Sequence, residues 1–179
     1  MIYVCLANGF EEIEALAVVD VLRRAELEVV TVGVGGKVVR GSHGIIVAAD
    51  IADTDVTADG MEALVLPGGM PGTLNLEHSP VVQQLLEAAT EQDCFICAIC
   101  AAPSILGHKG LLENRHAVCF PGYEQELRGA VVEEKAVVVD GRFITAKGAG
   151  VAVEFGLQIV AEMLSPARAS LLRAAMQCR

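Results

Sequence analysis

The 179-residue chain has no Trp, two Tyr and five Phe, so aromatics make up only 4% of it. That leaves little stacking surface for single-stranded nucleic acid. Positive charge is scarce as well. Thirteen Lys and Arg stand against 23 Asp and Glu, a formal net charge of −10 at pH 7. A surface of that sign repels phosphate backbones, so direct nucleic-acid binding is not expected. No apolar run approaches the ~20 residues needed to cross a bilayer. Residues 1–6 are too short for a signal peptide and lack a basic leader. The expectation is a cytoplasmic protein with no membrane partner.

What is abundant is aliphatic. The hydrophobic fraction is 53% and the charged fraction 20%, which excludes intrinsic disorder. Val, Ala, Leu and Ile dominate, as suits parallel strands buried on both faces. The length predicts a single domain over residues 1–179. The six Cys are expected to be thiols rather than disulfides in a reducing compartment.

Strand and helix signals alternate along the chain. Strands are predicted over residues 2–7, 28–34, 63–66, 94–99 and 116–119. Residues 38–50 read as a hairpin or excursion, and residues 136–146 as a hairpin turning at Asp140-Gly141. Helices are predicted over 11–25, from Ser79-Pro80 to about 92, over 101–107, 151–164 and 166–177. This alternation means an α/β layered sheet, whose sites lie beyond the carboxyl ends of strands. Three loops qualify by their chemistry: 8–14, 67–72 and 100–104.

Cys94-x-x-Cys97-x-x-Cys100 resembles the start of a cluster ligand run, but Ser104 stands where a fourth Cys belongs. Strand residues three apart are also roughly 10 Å apart and face opposite sides. No metal is therefore expected. Cys100 differs from its neighbours. It ends a strand and precedes Ala101-Ala102-Pro103, the strand–nucleophile–helix layout of a hydrolase elbow. The positive end of the following helix favours a thiolate there. On spacing alone the nucleophile and the buried structural cysteine both remain open.

On a helical wheel Glu14 falls between Val18 and Val21, in the middle of the apolar face of helix 11–25. Glu12 lies on the opposite side with Asp20 and Arg23. Burial should raise the Glu14 pKa and make it a proton carrier at neutral pH. The alternative duty, satisfying free first-turn amides, is met by Glu11 and Glu12. Pro67-Gly68-Gly69 ends a buried strand and lets backbone amides approach a ligand closely. The Gly69 and Ala101 amides can form an oxyanion hole, with Gly68 as a further backbone-binding residue. Gly148-Ala149-Gly150 opens a helix near the same loops. Among the four histidines, His108 lies at the exit of the short helix after Cys100 and reads as a solvated loop residue.

These residues together resemble the ThiJ/PfpI superfamily, and within it the branch of the Parkinson-disease-associated protein deglycase. The resemblance runs through Leu6-Ala7-Asn8-Gly9-Phe10-Glu11-Glu12-Ile13-Glu14, Val65-Leu66-Pro67-Gly68-Gly69, Ala98-Ile99-Cys100-Ala101-Ala102-Pro103 and Thr145-Ala146-Lys147-Gly148-Ala149-Gly150. It implies a flavodoxin-like three-layer sandwich with a mostly parallel central sheet, and usually a homodimer. Cys100 matches the family's oxidisable nucleophile, Glu14 the acid that hydrogen-bonds it, and Gly69 and Ala101 its backbone-amide anion site. The implied activities need no cofactor: glyoxalase conversion of methylglyoxal to lactate, and deglycation of glyoxal adducts on proteins. The implied substrates are thus small dicarbonyls or glycated proteins. Redox-sensor and chaperone roles are the implied alternative. Two positions depart from the pattern. Phe120 precedes Pro121 where many relatives carry His, and Lys147 stands where relatives have Arg.

Overall fold

The computed structural model describes residues 1–178. In chain order its elements are β1 (Ile2–Leu6), α1 (Glu12–Arg24), β2 (Val29–Gly33), β3 (Val38–Arg40), β4 (Ile46–Ala48), β5 (Ile51–Ala52), β6 (Ala63–Leu66), α2 (Gly72–Glu77) and α3 (Pro80–Glu91). They continue with β7 (Phe95–Ile99), α4 (Pro103–His108), β8 (His116–Ala117), β9 (Val131–Val132), β10 (Val137–Asp140), β11 (Phe143–Ala146), α5 (Ala152–Met163) and α6 (Pro166–Ala175).

Seven strands form the central sheet in the order β10-β11-β7-β6-β1-β2-β5. Every neighbouring pair is parallel except β10 with β11. The period-2 alternation of β1 sorts its side chains to two cores. Ile2, Val4 and Leu6 pack with α1, α5 and α6, whereas Tyr3 and Cys5 pack with α3 and α4. Both faces are covered by helices, which explains the near-continuous aliphatic strands. This is the expected three-layer α/β sandwich.

Three details differ from the sequence reading. The stretch 116–119 contributes only the two-residue β8, paired with β9 outside the main sheet. A short helix, α2, follows the 67–71 turn; its N-cap residue is Pro71, with no side-chain cap to announce it. The edge strand β5 is two residues long and shows no periodicity to read.

A further difference concerns Glu12. Glu11 caps α1, accepting from Glu14 N at 2.7 Å. Glu12, expected on the solvent side, is 5% exposed. Its Oε1 accepts from His43 N (2.8 Å) and Ile45 N (3.3 Å), and Ser42 Oγ donates to Oε2 at 3.3 Å. His43 Nδ1 lies 2.9 Å from Oε2. The carboxylate thus fastens the β3–β4 hairpin loop onto α1. A Cβ at Gly41 would sit 2.3 Å from Glu12 Cδ, so only glycine lets the loop close over it. Burial opposes ionisation, but hydrogen bonds from the His43 side chain and from backbone amides outweigh it and hold Glu12 at about 2. Its contribution is therefore complete above pH 4.5 and is lost as pH falls through about 2. Glu12→Gln is expected to lower unfolding stability by about 2 kcal/mol at neutral pH. In urea titrations over a pH series, that deficit should shrink from about pH 4.5 downward.

Candidate active site

The carboxyl ends of four adjacent central strands, β11, β7, β6 and β1, converge on one point. Each delivers one part of a small buried site. Beyond β1, the first turn of α1 supplies Glu14. Beyond β6 come Gly68 and Gly69, beyond β7 Cys100, and beyond β11 Gly148 and Ala149.

Cys100 takes a left-handed backbone conformation, φ 66°, which is uncommon for a residue with a Cβ and marks a forced turn. The turn is held on both sides. Cys100 N donates to Ala146 O at 2.9 Å, and Phe120 N donates to Cys100 O at 2.7 Å. Ser104 Oγ donates back to Ala101 O at 2.7 Å and closes the first turn of α4. The result is the elbow anticipated from the sequence.

Glu14 is 1% exposed, as its place on the apolar face of α1 requires. Its Oε2 accepts from Gly68 N at 3.0 Å. The side chain is also hydrogen-bonded to the Cys100 side chain and to the Ala149 amide. Burial, with Glu11 adding to it, pushes Glu14 up to about 7, while those three partners hold it down. Burial pushes the Cys100 thiol up to about 12, and the adjacent Glu14 adds to that. The Ala101 and Gly69 amides, hydrogen-bonded to the sulfur, pull it down. A thiolate favoured by the helix N-terminus was the sequence expectation. The opposite direction prevails because α4 is only six residues long and the thiol shares a dry site with a carboxyl group. Between about 7 and about 12 the pair holds one proton between its two atoms. One form of that state is a thiolate facing a carboxylic acid.

The glycines have distinct parts. The Gly68 amide is engaged by Glu14, so it orients the acid rather than standing free for a ligand. A Cβ at Gly68 would lie 2.6 Å from Glu14 Oε2 and 2.7 Å from Cys100 Cβ. The acid and the thiol can meet only because that Cβ is missing. Gly69 has φ 90°, and its amide faces the sulfur with that of Ala101.

Phe120 lies beside this site. Its ring Cδ2 is 3.3 Å from where a Gly148 Cβ would be, a point itself 3.9 Å from Glu14 Oε1. No histidine is hydrogen-bonded to Cys100 or Glu14 among the described residues. His43 meets Glu12, His116 meets Glu133, and His108 meets Glu77 and Glu126. Lys147 and Pro121 line a neighbouring cleft of about 490 Å³ with Glu124, Glu133 and Glu134. The Ala149 amide is the site member that the sequence did not single out by role. Its only signal was a run of small residues opening a helix. Cys94, Cys97 and Cys100 do not converge. Cys94 packs on the α3–α4 side, Cys97 on the α1–α5 side, and Cys100 at the elbow. Burial pushes Cys5 up to about 12 and raises Cys97 further still.

Comparison with known proteins fits this geometry. The profile described as the DJ-1/PfpI family matches residues 1–162. Protein dj-1beta of Drosophila melanogaster is 36% identical over 163 residues, covering 89% of this chain and 87% of that protein. The glutathione-independent glyoxalase DJR-1.2 of Caenorhabditis elegans is 32% identical over 163 residues, covering 90% of this chain and 87% of that one. The chain spans only 38% and 43% of two longer Arabidopsis thaliana relatives, the DJ-1 homologs B and A. The solved structure of oxidized Toxoplasma gondii DJ-1 superposes with a TM-score of 0.94 at 31% identity, covering 98% of this chain and 97% of that one.

Proposed function

The chain belongs to the DJ-1/PfpI family, and from that premise we propose that it is a cofactor-independent cysteine enzyme acting on reactive dicarbonyls or their adducts on proteins. The observation that carries this reading is the Cys100–Glu14 contact, in which a buried acid near neutrality shares a proton with an elbow thiol. The relative named a glutathione-independent glyoxalase supports the same chemistry.

With methylglyoxal the steps are these. Glu14 takes the Cys100 proton, and the thiolate adds to the aldehyde carbon. The new oxyanion is met by the Gly69 and Ala101 amides, freed from the sulfur as its charge moves to oxygen. Glu14 hands the thiol's proton to that oxyanion and is a carboxylate again. It then takes the proton from the former aldehyde carbon and gives it to the ketone oxygen, forming an enediol. Finally it takes the hydroxyl proton from the former aldehyde oxygen and delivers it to the neighbouring carbon. A thioester of lactate forms, and water releases lactate and restores the thiol. One water is consumed, with no net oxidation or reduction. Phe120 contributes an apolar wall and no proton, which leaves Glu14 as the sole carrier among the groups at the thiol. No bound metal or coenzyme enters any step. The deciding experiment measures lactate formed from methylglyoxal without glutathione. Output no greater than that of a Cys100→Ser control would remove the enzyme reading.

We infer the homodimer and the cytoplasmic location on narrower grounds. Ile13 and, on the hairpin that Glu12 fastens beside it, Ile45 and Ile46 are exposed, an apolar group suited to a second copy. No helix among the described residues is long and apolar enough to cross a membrane.

A second reading has its own support, because one relative was solved in an oxidized form. Here peroxide converts the Cys100 thiolate to sulfenic and then sulfinic acid, whose oxygens meet the same two amides and Glu14. Mass spectrometry after mild peroxide is expected to find oxidation concentrated at Cys100. Oxidation spread evenly over the six Cys would count against a sensor.

A further inference from the structure

Three segments flank the thiol: the turn after β6, the elbow that leads into α4, and the loop that carries Phe120. One side chain ties the far ends of all three together. His108 closes α4. Its Nδ1 lies 2.5 Å from Glu77 Oε1 at the end of α2, and its Nε2 lies 2.8 Å from Glu126 Oε2 in the 3-10 turn 124–126. The imidazole is 27% exposed, not the solvated loop side chain expected from the sequence. Gly107 brings the partners together. A Cβ there would sit 2.1 Å from Glu126 O, so the 3-10 turn rests directly on α4.

Hydrogen-bond counting fixes the state of the ring. A carboxylate only accepts, and a neutral imidazole has one N–H to donate. Both contacts hold together only when both ring nitrogens carry hydrogen. We propose that doubly protonated His108 is a positioning residue of the thiol site, clamping α2 and the 124–126 turn to the elbow helix and so fixing the two loops beside Cys100. This rests on the reading of Cys100 as the reacting thiol.

The charged groups around the ring are few. Glu126 faces it from the 3-10 turn and Glu77 from α2; Arg128, beyond that turn, acts against its charge. Lys109, next along the chain, is engaged by Gln83 and Glu87 of α3. The two carboxylates raise His108 above 6.5. A raised pKa means that the clamp contributes fully below 6.5 and is lost as pH rises through the folded value.

Hydrogen exchange of the full chain, read at residues 68–77 and 120–127 and corrected for intrinsic rates, tests this from about pH 6 to about pH 9. The wild-type protein is expected to lose protection there by about tenfold or more as pH rises. His108→Gln is expected to be open at every pH. Glu126→Gln offers an amide that donates to neutral imidazole, so it is expected to stay closed without a pH step. Alkylation of Cys100 over the same series shows whether the loosening reaches the thiol. A matching step in the wild-type protein, absent in Glu126→Gln, is the expected result. No exchange step in the wild-type protein overturns the proposal. So does a step that persists in both variants, or an exchange step with no counterpart at Cys100. None of these readouts needs turnover. Absence of lactate formation would therefore remove the enzyme reading while exchange and alkylation still decide this one.

Discussion

Cys100→Ser is expected to lower lactate formation from methylglyoxal by about 1,000-fold or more, while the fold is retained. A serine hydroxyl is a far poorer nucleophile than a thiolate and is not ionised by a base near neutrality. The substitution keeps the shape of the elbow, the Ala146 and Phe120 hydrogen bonds being made by the Cys100 backbone and not its sulfur. Circular dichroism and urea unfolding should therefore match the wild-type protein within about 1 kcal/mol. Lactate by proton NMR is the measurement. Full turnover in the variant would sink the covalent mechanism.

Glu14→Gln is the second large effect, and it acts in opposite directions on activity and stability. The amide oxygen can still accept from Gly68 N, and the side chain keeps the shape of the acid. The proton carrier is gone, and kcat is expected to fall by about 100- to 10,000-fold. In the wild-type protein, activity should rise with pH through about 7 as Glu14 loses its proton and the pair reaches its one-proton state. That rise should vanish in the variant. Stability follows from the same shift with its own sign. The folded carboxyl sits near 7 against an ordinary 4.5, so the folded chain holds a proton that the unfolded chain has released. Stability from this group therefore declines as pH climbs from about 4.5 through about 7. Removing the charge is expected to stabilise the protein above pH 7, by no more than about 3 kcal/mol. Urea unfolding at about pH 8 checks it. A variant that is both inactive and less stable there would mean that Glu14 serves structure rather than proton transfer.

The loss of activity with a gain in stability is the mark of a strained, dry functional site. The chain tolerates a left-handed Cys100 and a buried carboxyl at one point because four central strands and their loops fix both from several sides. Gly68 shows the tightness of this arrangement, since a single added carbon would meet the acid and the thiol at once.

Much of this was legible one residue at a time. The position of Glu14 follows from helical period, because a carboxylate between Val18 and Val21 must turn inward with them. The elbow at Cys100 follows from a strand that ends in small residues and a proline, and the glycines after β6 follow from the need for close approach. Period, turn chemistry and residue size are local, so a linear sequence carries them. Partnership is not local. Glu12 was placed toward solvent by its wheel position, yet a hairpin some 30 residues away folds over it and consumes its oxygens. His108 looked solvated until two glutamates 31 and 18 residues distant met its ring. The direction of the Cys100 shift is non-local for the same reason. A helix end is visible in sequence, whereas burial beside Glu14 arises only when β7 and α1 come together. The sequence by itself determined the layered fold, the thiol and the acid. Only the tertiary structure decided how many protons they share and what holds the loops around them, because charge state depends on solvent exclusion and on neighbours that the chain brings in from afar.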